Sequence, residues 1–421
     1  MRNLLTLLVI LVPLAFSLRI PFKLRTGSVG AITNVTSGGQ AVVWTDNAFF
    51  VANITIGTPP QLFTVVIDTS SADLFVPDLM CDYPTGVCAL PQCDGVYCNE
   101  QCPNKTCCLQ VKPKFGFDSN YANLLSRKFS QRAANVSTCF GKRQYNSSAS
   151  SSYSKQAHVV NIRSEHYGEI DGFTGLDTVT LGTSADEMIT IANVAFTQVI
   201  TMSQRFGNLT DIDGVLGLAF TSASVSGSDP PFVKAVKDGD VVDSVFSIWL
   251  EDMWQTSDNG TAGVIFWGGY DIPNHCSTNR TMWPLSQIRQ WTFTTTGFTA
   301  GTYQNSDKWQ THIDSASHFI TAPQKVATQV LNQLGLNANT PLPATVPCNT
   351  NISFSFTFPN GGQASIITKN LIVPNGMGGC MLAMRASQQT FTLGIPFLRG
   401  RCTYFDTTRQ LVGTADALSH N

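Results

Sequence analysis

Apolar positions in this chain come in short bursts and seldom at helical spacing. Phe49–Ile56 and Phe63–Ile67 are β-branched runs divided by the turn-forming segment Gly57–Pro60. Val179–Leu181, Val264–Trp267 and Ile352–Phe358 have the same character. Helical periodicity is rare; its best instance lies within Ser317–Leu334, around Pro323–Leu334. The pattern predicts an all-β protein, mainly strand with a few short helices. The serine-rich stretch Asn146–Tyr153 reads as a solvated loop.

Composition narrows the class. A chain of 421 residues has room for two or three domains at ~150 residues each. Hydrophobic residues make up 43%, which excludes wholesale disorder. Charged residues are only 13%, and 26 basic against 28 acidic side chains leave a net charge of −2. With no basic excess to hold a phosphate backbone, nucleic acid is not an expected partner.

The N-terminus points to the secretory route. Arg2 precedes the apolar run Leu4–Phe16, and Ala15–Ser17 resembles a cleavage site, so residues 1–17 read as a signal peptide. A signal anchor competes, but the run is too short to span a bilayer, and no membrane span is expected elsewhere. Twelve cysteines and nine Asn-x-Ser/Thr sequons fit a secreted protein or one in a lysosomal or vesicular lumen. The sequons are at Asn34, Asn53, Asn104, Asn135, Asn146, Asn208, Asn259, Asn279 and Asn351. Eight cysteines crowd an insertion spanning residues 81–139: Cys81, Cys88, Cys93, Cys98, Cys102, Cys107, Cys108 and Cys139. Zinc at Cys98 and Cys102 is conceivable, but an oxidising destination favours disulfides, whose pairing inside the cluster stays open. No metal site is expected.

Two segments share a pattern. Val65–Pro77 and Thr311–Pro323 each set an Asp after an apolar run, then a hydroxyl, a small residue and a second hydroxyl. Each is followed by an element ending in Leu-Gly, at Val215–Gly217 and Thr392–Gly394. This internal pseudo-repeat predicts two similar halves, each giving one carboxylate, Asp68 and Asp314, to a common seam.

With these motifs in order, the chain resembles the pepsin family of aspartic proteases over nearly all its length beyond the signal peptide. Ile54–Gln61, Asp213–Phe220, Gly263–Asp271, Phe397–Arg399 and Tyr404–Asp406 resemble further family landmarks. The resemblance implies a two-lobed fold with its active-site cleft between the lobes, and an aspartic endopeptidase acting on peptides or proteins. It implies a monomer without a cofactor, in which Asp68 and Asp314 share one proton and activate a water. By the same likeness, Thr69 and Ser315 lock the lobes together, and Ser71 and Ser317 bond to the catalytic carboxylates. Four ordinary turn hydroxyls would look the same. Tyr167 and Gly168 match the flap, Cys348 and Cys380 a lobe disulfide, and Cys276 and Cys402 the additional bridge of nematode-like members. The expected layout is a short pro-region over 18–44, an N-terminal lobe over 45–250 and a C-terminal lobe over 251–421.

Several positions depart from the family pattern. Ser70 and Ala316 replace glycines, and Phe75 stands where a tryptophan would donate to the flap tyrosine. The flap is two residues shorter than in most relatives, which preserves strand register but makes a shallower lid. Ile395 stands where an Asp normally follows Leu-Gly, and His318 either lines a subsite or packs. The pro-region lacks the helical part that carries an inhibitory lysine, so an open cleft without acid-triggered processing is expected. These changes keep a second possibility in view, a catalytically impaired or silent relative that binds peptides.

Overall fold

The computed structural model describes residues 38–44, 49–81, 138–183, 188–251, 261–270, 275–375 and 378–418. The signal-peptide segment, Cys88 to Cys108, and the sequons at Asn34, Asn104, Asn135 and Asn259 lie outside the described residues.

Strands dominate, as the short β-branched runs predict. The first part of the chain supplies β1 (Gly38–Trp44), β2 (Phe50–Ile56), β3 (Gln61–Asp68), β4 (Leu74–Pro77), β5 (Ser154–Ser164), β6 (Gly168–Leu181), β7 (Ile189–Met202) and β8 (Gly214–Gly217). Next come β9 (Val245–Leu250), β10 (Thr261–Trp267), β11 (Cys276–Pro284), β12 (Trp291–Thr295), β13 (Trp309–Ile313) and β14 (Ile320–Pro323). The last are β15 (Met384–Ser387), β16 (Phe391–Leu393), β17 (Arg401–Asp406) and β18 (Leu411–Ala417). Thirteen of these form one sheet in the order β11-β18-β17-β9-β10-β1-β2-β3-β8-β4-β7-β6-β5. A second sheet holds β12-β13-β16-β14-β15, with residues 287–288 at its edge. This is the mainly-β, two-lobed pepsin-like architecture.

The sequence repeat is a topological repeat. β3 runs parallel to β8, β8 antiparallel to β4, and β4 parallel to β7. In the second half β13 runs parallel to β16, β16 antiparallel to β14, and β14 parallel to β15. Asp68 pairs with Gly217, and Ile313, just before Asp314, pairs with Leu393. Gly217 and Gly394 are needed because backbone crosses them closely. A Cβ on Gly217 would lie 2.5 Å from the Ala72 carbonyl carbon, and one on Gly394 would strike the Ser317 and Phe319 carbonyls.

β1 falls inside the 18–44 segment read as pro-region, yet it pairs with both β10 and β2. Its backbone lies between those two strands in the large sheet. β9, assigned to the first lobe, hydrogen-bonds to β10 and β17.

The expected helix forms as α2 (Gln324–Gln333), after α1 (Pro231–Asp238). α2 buries Val326, Ala327, Val330 and Leu331, a four-residue spacing that keeps one face on the core. α1 opens on Pro231 and ends at Gly239, whose φ of 79° suits the left-handed cap. Its Phe232 joins Phe246, Trp267, Trp291 and Phe405 in an aromatic core, where Phe246 stacks on Phe405 at 4.7 Å. Disulfides join Cys81 to Cys139, Cys276 to Cys402 and Cys348 to Cys380.

Candidate active site

Asp68 ends β3 and Asp314 follows β13, and both carboxylates are buried where the two halves meet. The residue after each Asp fastens the loops to one another. The Thr69 hydroxyl donates to the Ile313 carbonyl and accepts the Ser315 N–H, each at 3.0 Å. Reciprocally, the Ser315 hydroxyl donates to the Ile67 carbonyl at 2.6 Å and accepts the Thr69 N–H at 3.0 Å. All four bonds cross from one half to the other, and both side chains are buried.

Donors surround the first carboxylate. Asp68 Oδ1 accepts from the N–H and hydroxyl of Ser70, at 2.8 and 2.7 Å, and from the N–H of Ser71 at 3.3 Å. Oδ2 accepts from the Ser71 hydroxyl at 2.7 Å and the Tyr167 hydroxyl at 3.1 Å. Asp314 has fewer partners: Oδ1 accepts the Ala316 N–H, and Oδ2 meets His166 Nε2, both at 2.9 Å. Ser70 uses its side chain on Asp68 while its carbonyl accepts from Gln290 at 2.9 Å.

The flap explains why Tyr167 and His166 reach so far. β5 and β6 form a hairpin whose register closes at Ser164 opposite Gly168. The hairpin therefore turns through Glu165, His166 and Tyr167, and Gly168, with φ of 77°, supplies the left-handed residue that a three-residue loop needs. The Ser164 hydroxyl accepts the N–H groups of His166 and Tyr167. From the segment after β7, Ser203 donates to the Tyr167 carbonyl and Arg205 to the Glu165 carbonyl. Phe75 has no donor for the tyrosine and instead meets its ring edge-on at 6.1 Å, beside Phe206. The Tyr167 hydroxyl turns to Asp68.

Electrostatics follow from this contact. Burial opposes an imidazolium at His166, but the hydrogen bond and charge of Asp314, with Asp68 and Glu165, push it up to about 9. Burial alone would raise Asp314; the His166 bond and charge, His312 and the Ala316 N–H hold it below the usual carboxylate range. Burial chiefly, reinforced by both carboxylates, keeps the Tyr167 phenol protonated well beyond its ordinary range. His312, buried on β13 with its Nε2 3.1 Å from the Thr392 hydroxyl, is pushed down mainly by burial.

Not every expected residue sits as foreseen. The Ser317 hydroxyl does not bond the Asp314 carboxylate: it donates to the Phe319 carbonyl at 3.1 Å, closing a local turn two residues on, while the Ser317 N–H donates to the Asp314 backbone carbonyl at 3.2 Å. Ser71, its counterpart, does bond its carboxylate. Neither Ser70 nor Ala316 has a positive φ; among the described non-glycine residues only Asn193 and Gln410 do. Both therefore add side chains without backbone strain, and Ala316 is packed in a cluster with Phe49 and Tyr167. His318 packs edge-on against Phe49 at 4.8 Å. Ile395 is buried and donates its N–H to the Ser317 carbonyl. His166 escaped the sequence reading, because its contact with Asp314 spans 148 residues. The cue was its place beside the flap tyrosine.

Two Asp-bearing loops, locked across the seam of a repeated β fold and covered by a hairpin, define an aspartic protease site. Residues 49–417 match the eukaryotic aspartyl protease family model, and the chain belongs to that family. It is 28% identical to aspartic protease 2 of Necator americanus, over 90% of this chain and 86% of that one. It is similar to aspartic protease 10 of Caenorhabditis elegans, at 27% identity over 91% and 87% of the two chains. Gastricsin of Macaca fuscata fuscata is 25% identical over 90% and 86%.

Proposed function

We propose that this chain is an aspartic endopeptidase of the secretory route, cleaving peptides or proteins at acid pH with Asp68 and Asp314. The observation that carries this reading is the reciprocal lock of Thr69 and Ser315 around two buried carboxylates. One carboxylate, ionised, draws a proton from a water as it attacks the scissile carbonyl. The other, protonated, donates to the developing oxyanion; as the tetrahedral diol collapses, the first passes the proton it took from water to the leaving amine and the second recovers one from the diol hydroxyl. Like charges so near cannot both remain ionised without a counter-charge, which gives the working pair its single proton.

The paired cysteines and the exposed sequons at Asn208, Asn279 and Asn351 support a secreted or vesicular location. Among the described residues, no helix is long and apolar enough to cross a membrane. A second reading, a peptide binder with impaired chemistry, draws on the Ser317 hydroxyl bonding Phe319 instead of the Asp314 carboxylate and on Ser70 occupying Asp68. Incubating the purified chain with unfolded protein at acid pH, with and without pepstatin, separates the two. Pepstatin-sensitive cleavage supports the enzyme; pepstatin binding without cleavage supports the binder.

A further inference from the structure

The flap tip of this chain occupies the place where a substrate would lie. Tyr167 and His166 are adjacent, and each takes the Oδ2 atom of a different carboxylate, at 3.1 and 2.9 Å. A peptide group between tip and carboxylates needs van der Waals clearance of roughly 3.5–4 Å on each side. The tip must therefore withdraw by about 4 Å before a substrate can enter. It is also tied down from outside by Ser203 and Arg205, while Gln290 covers the Ser70 carbonyl below it.

We propose that His166 is a built-in latch: its imidazolium pairs with Asp314, holds the flap shut over the dyad and competes with substrate for the site. The inference rests on the reading of Asp68 and Asp314 as the peptide-cleaving pair and concerns what keeps that pair idle. The imidazolium supplies Asp314 with the positive charge that the shared proton supplies in the working pair, so Asp314 stays ionised beneath the closed flap. This replaces the expectation of an open cleft.

The groups facing His166 fix the pH window. Asp314 and His312 approach from the second half, Asp68 from the first, and Glu165 and Tyr167 flank it on the tip. Arg205 engages only the Glu165 carbonyl there. The raised His166 keeps the latch at lower pH and releases it as pH rises through about 9. The lowered Asp314 keeps it above the ordinary carboxylate range and releases it as pH falls through its own depressed value. The latch is closed at neutral pH and opens in acid, where an aspartic dyad works.

The test uses the full-length chain and pepstatin as probe. His166→Ala should bind pepstatin roughly tenfold tighter than wild type at pH 6, if the open form is about a tenth of the population. The gap should close toward pH 3. His166→Gln, which keeps a donor but no charge, should behave like the alanine variant. Equal or weaker binding by both variants at pH 6 overturns the latch. A second readout needs no ligand: in protein carrying labelled histidine, His166 should titrate near pH 9 and fall toward its ordinary ~6.5 in Asp314→Asn. Titration near the ordinary value in wild type also overturns it. Cleavage is scored separately: a latched chain that binds pepstatin but cleaves nothing defeats the protease reading alone, and an active chain indifferent to His166 defeats the latch alone.

Discussion

Thr69→Val tests the lock between the two halves with little change in shape. Valine fills the space of threonine but removes the hydroxyl, leaving the Ile313 carbonyl and the Ser315 N–H without their 3.0 Å partners. Both groups lie in the interior, where water cannot replace the lost bonds. A buried polar group left unsatisfied costs about 1–3 kcal/mol, so the pair predicts a loss of about 2–6 kcal/mol. Ser315→Ala orphans a different pair, the Ile67 carbonyl and the Thr69 N–H, and predicts a loss of the same order. The two side chains share no bond with each other but hold one interface, so the double variant should show coupling in a double-mutant cycle. Urea unfolding at one pH gives the stabilities, and kcat on a fixed peptide reports the geometry. Displacing either carboxylate by about 1 Å can cost on the order of a hundredfold in rate. If Thr69→Val costs under about 0.5 kcal/mol, the range of an ordinary surface substitution, and leaves kcat intact, the lock does not organise the site.

Further outcomes follow from other contacts. Ser70→Gly frees an acceptor site on Asp68 and should raise kcat/KM; an unchanged rate would place any impairment elsewhere. Ala316→Gly should instead destabilise by about 0.5–1 kcal/mol, since its φ is not left-handed and its methyl packs with Phe49 and Tyr167. A gain in stability would show strain that the backbone does not display. Asp78, buried beneath the Met80 N–H, is pushed by burial up to about 7. Stability should thus fall as pH rises from its ordinary 3.8 through about 7, by on the order of 4 kcal/mol. Asp78→Asn should abolish that fall in urea unfolding between pH 4 and 8, and an equal fall in both proteins would refute it.

The repeat made the centre of the molecule readable from sequence. Asp-hydroxyl-small-hydroxyl after an apolar run, twice, with Leu-Gly to follow, encodes a strand, a tight loop and a crossing strand whose glycine admits the loop backbone. Local chemistry sufficed because β3 with β8 and β13 with β16 use the same register rules. What stayed hidden depended on geometry that spacing does not carry. Ser317 matches Ser71 in pattern, but its hydroxyl found a nearer acceptor at Phe319. β1 fell within the segment read as pro-region because most of its pairing is with β10, more than 200 residues away. His166 gained its meaning from a hairpin that closes at Ser164 opposite Gly168, so that Tyr167 and its neighbour lie in the turn and reach the carboxylates. Phe75 contributed by offering Tyr167 no polar partner, leaving Asp68 as the acceptor within reach.

The most direct measurement is cleavage of an unfolded protein at acid pH by wild type, Asp68→Asn and Asp314→Asn, each purified as a folded full-length chain. A general acid and a general base drawn from one pair predict that wild type cleaves and that each single variant loses all but a trace of activity. Substantial cleavage by either asparagine variant would contradict the dyad.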